Sequence, residues 1–165
     1  MPSKERQGTK ANNTGIALEG FIKGDLERAG YTYVERTRFI AAQYLKQPIY
    51  TQKFNWGLGM YGTPIESDVV LYHPENWPKS LVIEAKWQET SGSADEKYPY
   101  MVENFRTCCP YPSIIIIDGD GYRAKAADWL RQQVDQEKIL GVFSMAEFRR
   151  KFSRGEIMQK ARTHR

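Results

Sequence analysis

The sequence predicts an α/β fold, a central β-sheet flanked by helices, built as one domain. Three observations predict it. A length of 165 residues with 41% apolar content suits one core rather than two. Segments of helical period alternate with short strand-like runs along the chain. In the middle, residues 65–72 and 80–88 read as two strands joined by a loop holding Pro74, Asn76 and Pro78, a hairpin.

In order along the chain, residues 1–13 are polar and read as a flexible basic N-terminal arm. The domain occupies 14–152, and 153–165 form a basic C-terminal tail. Residues 14–29 have helical period and end at Gly30, with Leu18, Ile22, Leu26 and Ala29 on one stripe and Glu19 at its edge. Residues 31–36 read as a strand, 37–46 as a short amphipathic helix and 48–54 as an extended segment. The run from Trp56 to Gly62 has too many glycines for a regular element and reads as a mobile loop that could close over a substrate, or equally as a connection shaped by glycine geometry. It lacks the Lys-Ser/Thr of a phosphate-binding loop.

After the hairpin, Ser93 and Glu96 have capping-box spacing, but Pro99 falls inside the helix they would open. That helix is either kinked or begins near Pro99, and it runs to about Cys108. Residues 113–118 read as a buried strand, 122–135 as a helix, 139–143 as a strand and 145–152 as a helix. Asp118-Gly119-Asp120-Gly121 lacks the later ligands of a calcium loop and reads as a strand-to-helix turn.

The hairpin carries the chemistry. Alternation sends Glu84, Lys86 and Gln88 to one face of the second strand, and a regular hairpin centred on Asn76 sets Asp68 opposite Glu84 and Glu66 opposite Lys86. Two opposed carboxylates repel unless a cation lies between them, and a divalent ion compensates where oxygen ligands converge. Asp68, Glu84 and the backbone carbonyl of Ala85 suffice for magnesium, which keeps several waters, and Lys86 would then serve the attacking water. The plainer alternative is a cross-strand charge ladder with Glu66 paired to Lys86. A bulge in either strand would undo the register.

Glu66-Ser67-Asp68 followed by Glu84-Ala85-Lys86 resembles the bipartite motif of the PD-(D/E)XK, or restriction-endonuclease-like, nuclease superfamily. The motif's Pro is Ser67 here. The resemblance implies a mixed central sheet flanked by helices and phosphodiester hydrolysis on DNA. It implies Asp68 and Glu84 as metal ligands, magnesium as the cofactor with manganese able to substitute, and Lys86 as the residue assisting water. It adds Glu19 from the first helix and Gln88 as active-site residues, and Lys97 as a phosphate contact. Lys53, Arg149, Arg150 and Lys151 are further candidates for binding DNA.

Composition narrows the rest. Histidine occurs only at positions 73 and 164, so histidine-metal nucleases and Ser-His-Asp hydrolases lack parts. Cys108 and Cys109 are adjacent and poorly placed to bridge each other, there is no apolar run of membrane-spanning length, and the expected location is cytoplasmic. No organic cofactor or membrane partner is expected. Residues 146–165 hold seven Lys/Arg against two acids, which suits a tail that neutralises phosphates. One active site cuts one strand, so a homodimer or higher homo-oligomer is expected. Restriction, homing, mobile-element and junction-resolving roles all remain open, as does a module that binds nucleic acid without cutting or a protein-interaction subunit.

Overall fold

The computed structural model describes residues 4–89 and 94–157, with side chains from residue 16 onward. The chain runs α1 (Lys4–Arg28), β1 (Thr32–Tyr33), α2 (Phe39–Ala42) continued by a 3-10 turn over Gln43–Leu45, β2 (Ile49–Leu58), β3 (Pro64–His73) and β4 (Trp77–Trp87). A 3-10 turn over Asp95–Lys97 then leads into α3 (Tyr98–Thr107), β5 (Ser113–Asp118), α4 (Ala124–Gln132), β6 (Ile139–Phe143) and α5 (Met145–Ser153).

The strands form one mixed sheet in the order β1-β2-β3-β4-β5-β6. Short turns make β2, β3 and β4 an antiparallel meander, while β5 and β6 add in parallel to β4 because α3 and α4 carry the chain back across the sheet. On one face, Leu18, Ile22 and Leu26 of α1 and Phe148 of α5 pack with Val69, Leu71, Ile83, Ile114 and Ile116. On the other, Val102 and Phe105 of α3 and Leu130 of α4 pack with Val70, Val82, Ile115 and Ile117. Ile114 to Ile117 are all fully buried, as an inner parallel strand covered on both faces requires. Each such side chain contributes about 1.5–3 kcal/mol of burial.

Several elements differ from expectation. The first helix starts at Lys4 rather than at residue 14, so 4–13 are helical, while 1–3 lie outside the described residues. Extending a nucleated helix adds one hydrogen bond per residue fixed, and Lys4-Glu5-Arg6-Gln7 are good helix formers. Ala29 is exposed and falls in the turn at Gly30. The strand expected over 31–36 is only Thr32–Tyr33. Pro99 lies in the first turn of α3, where no backbone N–H is needed, which settles the start of that helix; Ser93 lies outside the described residues.

The glycine-rich run is a packed turn. β2 continues through Leu58, Gly59 N donates to the Thr63 carbonyl at 2.9 Å, and Met60 N donates to Asn104 Oδ1 on α3 at 2.8 Å. A Cβ at Gly59 would lie 2.7 Å from both Asn104 Oδ1 and Ile65 Cγ1. The β3–β4 hairpin does contain an irregularity, between Leu71 and His73, and Ser80 there has φ +70°. It lies toward the turn, so beyond it the ladder runs Leu71↔Leu81, Val70↔Val82, Val69↔Ile83, in the register expected from the sequence.

Candidate active site

The β3–β4 ladder stops at Val69↔Ile83, one residue short of Asp68 and Glu84. From there β3 stays with β2 as far as Pro64↔Leu58, and β4 stays with β5 as far as Trp87↔Asp118, so the two strands part in a fork. Parting strands leave backbone N–H groups without partners, and buried donors must find others. Here the two acids supply them. Asp68 Oδ2 accepts the Ala85 N–H at 2.9 Å, and Glu84 Oε2 accepts a long 3.4 Å contact from the Asp68 N–H.

Glu84 is 8% exposed, and its other oxygen accepts from Lys86 Nζ at 2.7 Å. Burial, then the neighbouring Asp68 charge, push the Glu84 carboxyl up to about 7, against the opposing pull of Lys86. Burial works to lower the Lys86 pKa, but Glu84 outweighs it and the ammonium is held more firmly protonated than usual.

A second cation enters from β2. Lys53 Nζ lies 2.8 Å from Glu19 Oε1 and 3.2 Å from Asp68 Oδ1, joining α1 to the fork. Burial opposes its charge, while Glu19 and Asp68 outweigh that effect and raise its pKa. Its backbone has φ +51°, a left-handed conformation rarely adopted by a non-glycine residue. Arg36 reaches the Lys53 carbonyl at 3.3 Å and Glu66 Oε1 at 3.4 Å. The Glu66–Lys86 pair of the plainer charge-ladder alternative does not form: the strands have already separated, and each residue takes another partner.

The donors suit a hard divalent cation. Two carboxylates converge, and the backbone supplies a third oxygen: Val82 and Gln88 direct their N–H groups to the β5 side, so alternation turns the carbonyl of Ala85 toward β3 and the fork. Magnesium needs only one or two carboxylates because it retains water. Among the described residues no group of three His, Cys, Asp or Glu side chains could hold a metal, so any ion here depends on that carbonyl and on water.

Other expected site residues divide. Lys97 lines the same cleft as Glu84 and Lys86. Gln88 is buried with both ends of its amide engaged: Nε2 donates to the Gly121 carbonyl at 3.1 Å and Oε1 accepts the Asp95 N–H at 3.1 Å. Through these two bonds it ties together the loops beyond β4 and β5. Arg149 grips the buried Asp25 at 3.0 Å, nearly two turns of α1 beyond Glu19, with Arg28 on the same carboxylate. Arg150 is exposed on α5, and Lys151 lies over the Phe143 ring and 3.9 Å from Glu156. None of these three lines the Glu84 cleft, because α5 packs beside α1 on the other face of the sheet.

Sequence reasoning missed the clamp between Asp95 and Arg123, two contacts of 2.8 Å that fix the approach to α3. It joins residues far apart in the chain, and neither bears a local signal. A family model of the PD-(D/E)XK nuclease superfamily domain matches residues 10–156. No curated protein matches the chain.

Proposed function

The chain belongs to the PD-(D/E)XK nuclease superfamily, and from that premise we propose that it is a magnesium-dependent DNA endonuclease. The observation that carries the reading is the fork: Asp68 and Glu84 converge where β3 leaves β4, and Lys86 is held 2.7 Å from Glu84. Asp68, Glu84 and the Ala85 carbonyl would hold the ion. Magnesium bound there supplies positive charge that acidifies water and stabilises a phosphoryl oxygen.

The protein's own groups do the rest. Lys86, kept charged by Glu84, donates a hydrogen bond to the attacking water or to a non-bridging phosphate oxygen as charge develops. The water oxygen bonds to phosphorus as the bond from phosphorus to the leaving sugar oxygen breaks; the water proton passes to solvent, and the departing oxygen takes up a proton from solvent to leave as the alcohol. Glu19 orients Lys53, and Lys53 orients Asp68. Lys97, beside the start of α3, is suited to a flanking phosphate. A homodimer would place two such sites on the two strands of a duplex.

Incubation with linear, supercoiled, single-stranded and four-way-junction DNA tests the proposal, with magnesium, with manganese and with chelator. Metal-dependent cleavage that disappears in Glu84→Gln is the expected result. A folded wild-type protein that cuts none of them, or cuts equally well as Glu84→Gln, overturns it.

A further inference from the structure

Glu84, Lys86 and Lys97 share a cleft of about 360 Å³ whose remaining wall is mostly aromatic or apolar, with Trp56, Tyr100 and Met101 prominent. Hydrolysis of a sugar-phosphate backbone calls for cations and water, and such a wall serves neither. Of its other polar side chains, Glu66 reaches Arg36 at 3.4 Å, and Asn104, Trp56 and Ser67 are tied within the wall. Asn104 spends its oxygen on Met60 N and its amide on the Tyr100 carbonyl, while Trp56 Nε1 donates to Ser67 Oγ at 2.9 Å.

The aromatic side of the cleft is flat, and Tyr100 on it is already stacked against a ring outside the lining. Tyr100 and Tyr61 lie with ring centroids 5.1 Å apart and planes 24° from parallel. Tyr61 is 73% exposed, yet its turn is tied to α3 through Asn104, so the pair is held in place before any ligand arrives. In a paired duplex both faces of each base are covered by neighbours. Only an unpaired base can offer a face to such a wall.

We propose that this cleft receives one unpaired nucleobase next to the scissile phosphate. The chain then prefers DNA with a splayed or single-stranded nucleotide at the cut over the fully paired duplex. Recognition is by stacking and is indifferent to base identity, because every base presents a π-face. The inference rests on the fork being a nuclease site.

The test is binding of the full chain, in calcium, to two labelled duplexes of one sequence, one with a short central bubble carrying 2-aminopurine and one fully paired. Wild type should hold the bubble ~10-fold or more tighter, the effect of stacking one base, and should quench the 2-aminopurine. Tyr100→Ala and Tyr100→Leu should abolish both effects, and Tyr100→Trp should retain them; Leu and Trp keep the site filled should Ala not fold. Equal affinity for bubble and duplex in wild type, or an unchanged preference in Tyr100→Leu, overturns the proposal. Cleavage in magnesium, run alongside, separates the two readings: cutting without bubble preference removes only the base site, whereas absence of cutting removes the nuclease reading.

Discussion

Lys53 and Asp68 face each other at the point where both of their strands change the core they serve. Gln52 pairs with Val69 and Phe54 with Ser67, leaving Lys53 and Asp68 between them outside the ladder. Before this point Ile49 and Tyr50 alternate between the two faces; after it, Phe54 and Trp56 join Ile49, where strict alternation would send them with Tyr50. On β3 Val69 and Leu71 serve one core, yet Ser67 bonds to Trp56 of the other. The left-handed φ of Lys53 is the twist that makes the switch, and it turns the lysine to the acids.

Lys53→Met should therefore leave Glu19 and Asp68 to repel each other. Lys53 is about half exposed, so the loss of stability should stay within ~1 kcal/mol. Added magnesium should then raise the melting temperature of Lys53→Met by more than that of wild type, because the ion replaces a missing charge. Equal shifts in the two proteins would refute this.

Lys86→Ala should lower cleavage ~10²–10⁴-fold, the range for loss of a group that handles a proton or developing charge, while DNA affinity falls little. Parallel single-turnover cleavage and fluorescence-anisotropy titrations check it. A matching loss in binding would make Lys86 a mere phosphate contact.

Gln88→Ala should destabilise more than it slows. It strips partners from the Asp95 N–H and the Gly121 carbonyl, a cost of about 1–3 kcal/mol. Urea unfolding should show that loss, with cleavage per folded molecule reduced less than in Lys86→Ala. The reverse ranking would return Gln88 to the chemistry.

Asp95 gives the clearest pH dependence. Its hydrogen bonds from Arg123 hold its carboxyl down at about 2, below the ordinary 3.8. A depressed acid stabilises the fold above its unfolded value, and that stability is lost as pH falls toward the folded one. Wild type should be more stable than Asp95→Asn at pH 7, and the gap should close as pH falls from about 4 to about 2. A gap independent of pH would show that the clamp's charge contributes nothing.

Gly59→Ala should cost about 1–3 kcal/mol through overpacking, since its Cβ would meet Asn104 Oδ1 and Ile65 Cγ1 at 2.7 Å. Thermal melts compared with Gly20→Ala, where a Cβ meets nothing within 4 Å, isolate the contact. Similar melting temperatures would mean that the turn yields.

Much of this was legible from local rules. Alternation and a centred turn gave the register that holds up to Val69↔Ile83, one step from Asp68 and Glu84, because the bulge falls on the turn side of the ladder. Helical period found Leu18, Ile22 and Leu26, and with them Glu19. The rest depends on contacts distant in sequence. A left-handed backbone at Lys53 bears no mark in residue type, being neither Gly, Asn nor Asp. Arg149 looks like a free tail cation until folding brings Asp25 against it. The fork itself is invisible in either strand alone, since it records which neighbour each keeps.

The parted strands also say how such a site would decay. Asp68 and Glu84 occupy the N–H groups that β3 and β4 would otherwise offer each other. A descendant stripped of both acids has bare donors in a buried place, and the nearest remedy is for the two strands to zip together past Val69 and Ile83. Loss of the two acids would then be written in the backbone as slowed hydrogen exchange at Ala85, a scar readable after the side chains themselves are gone.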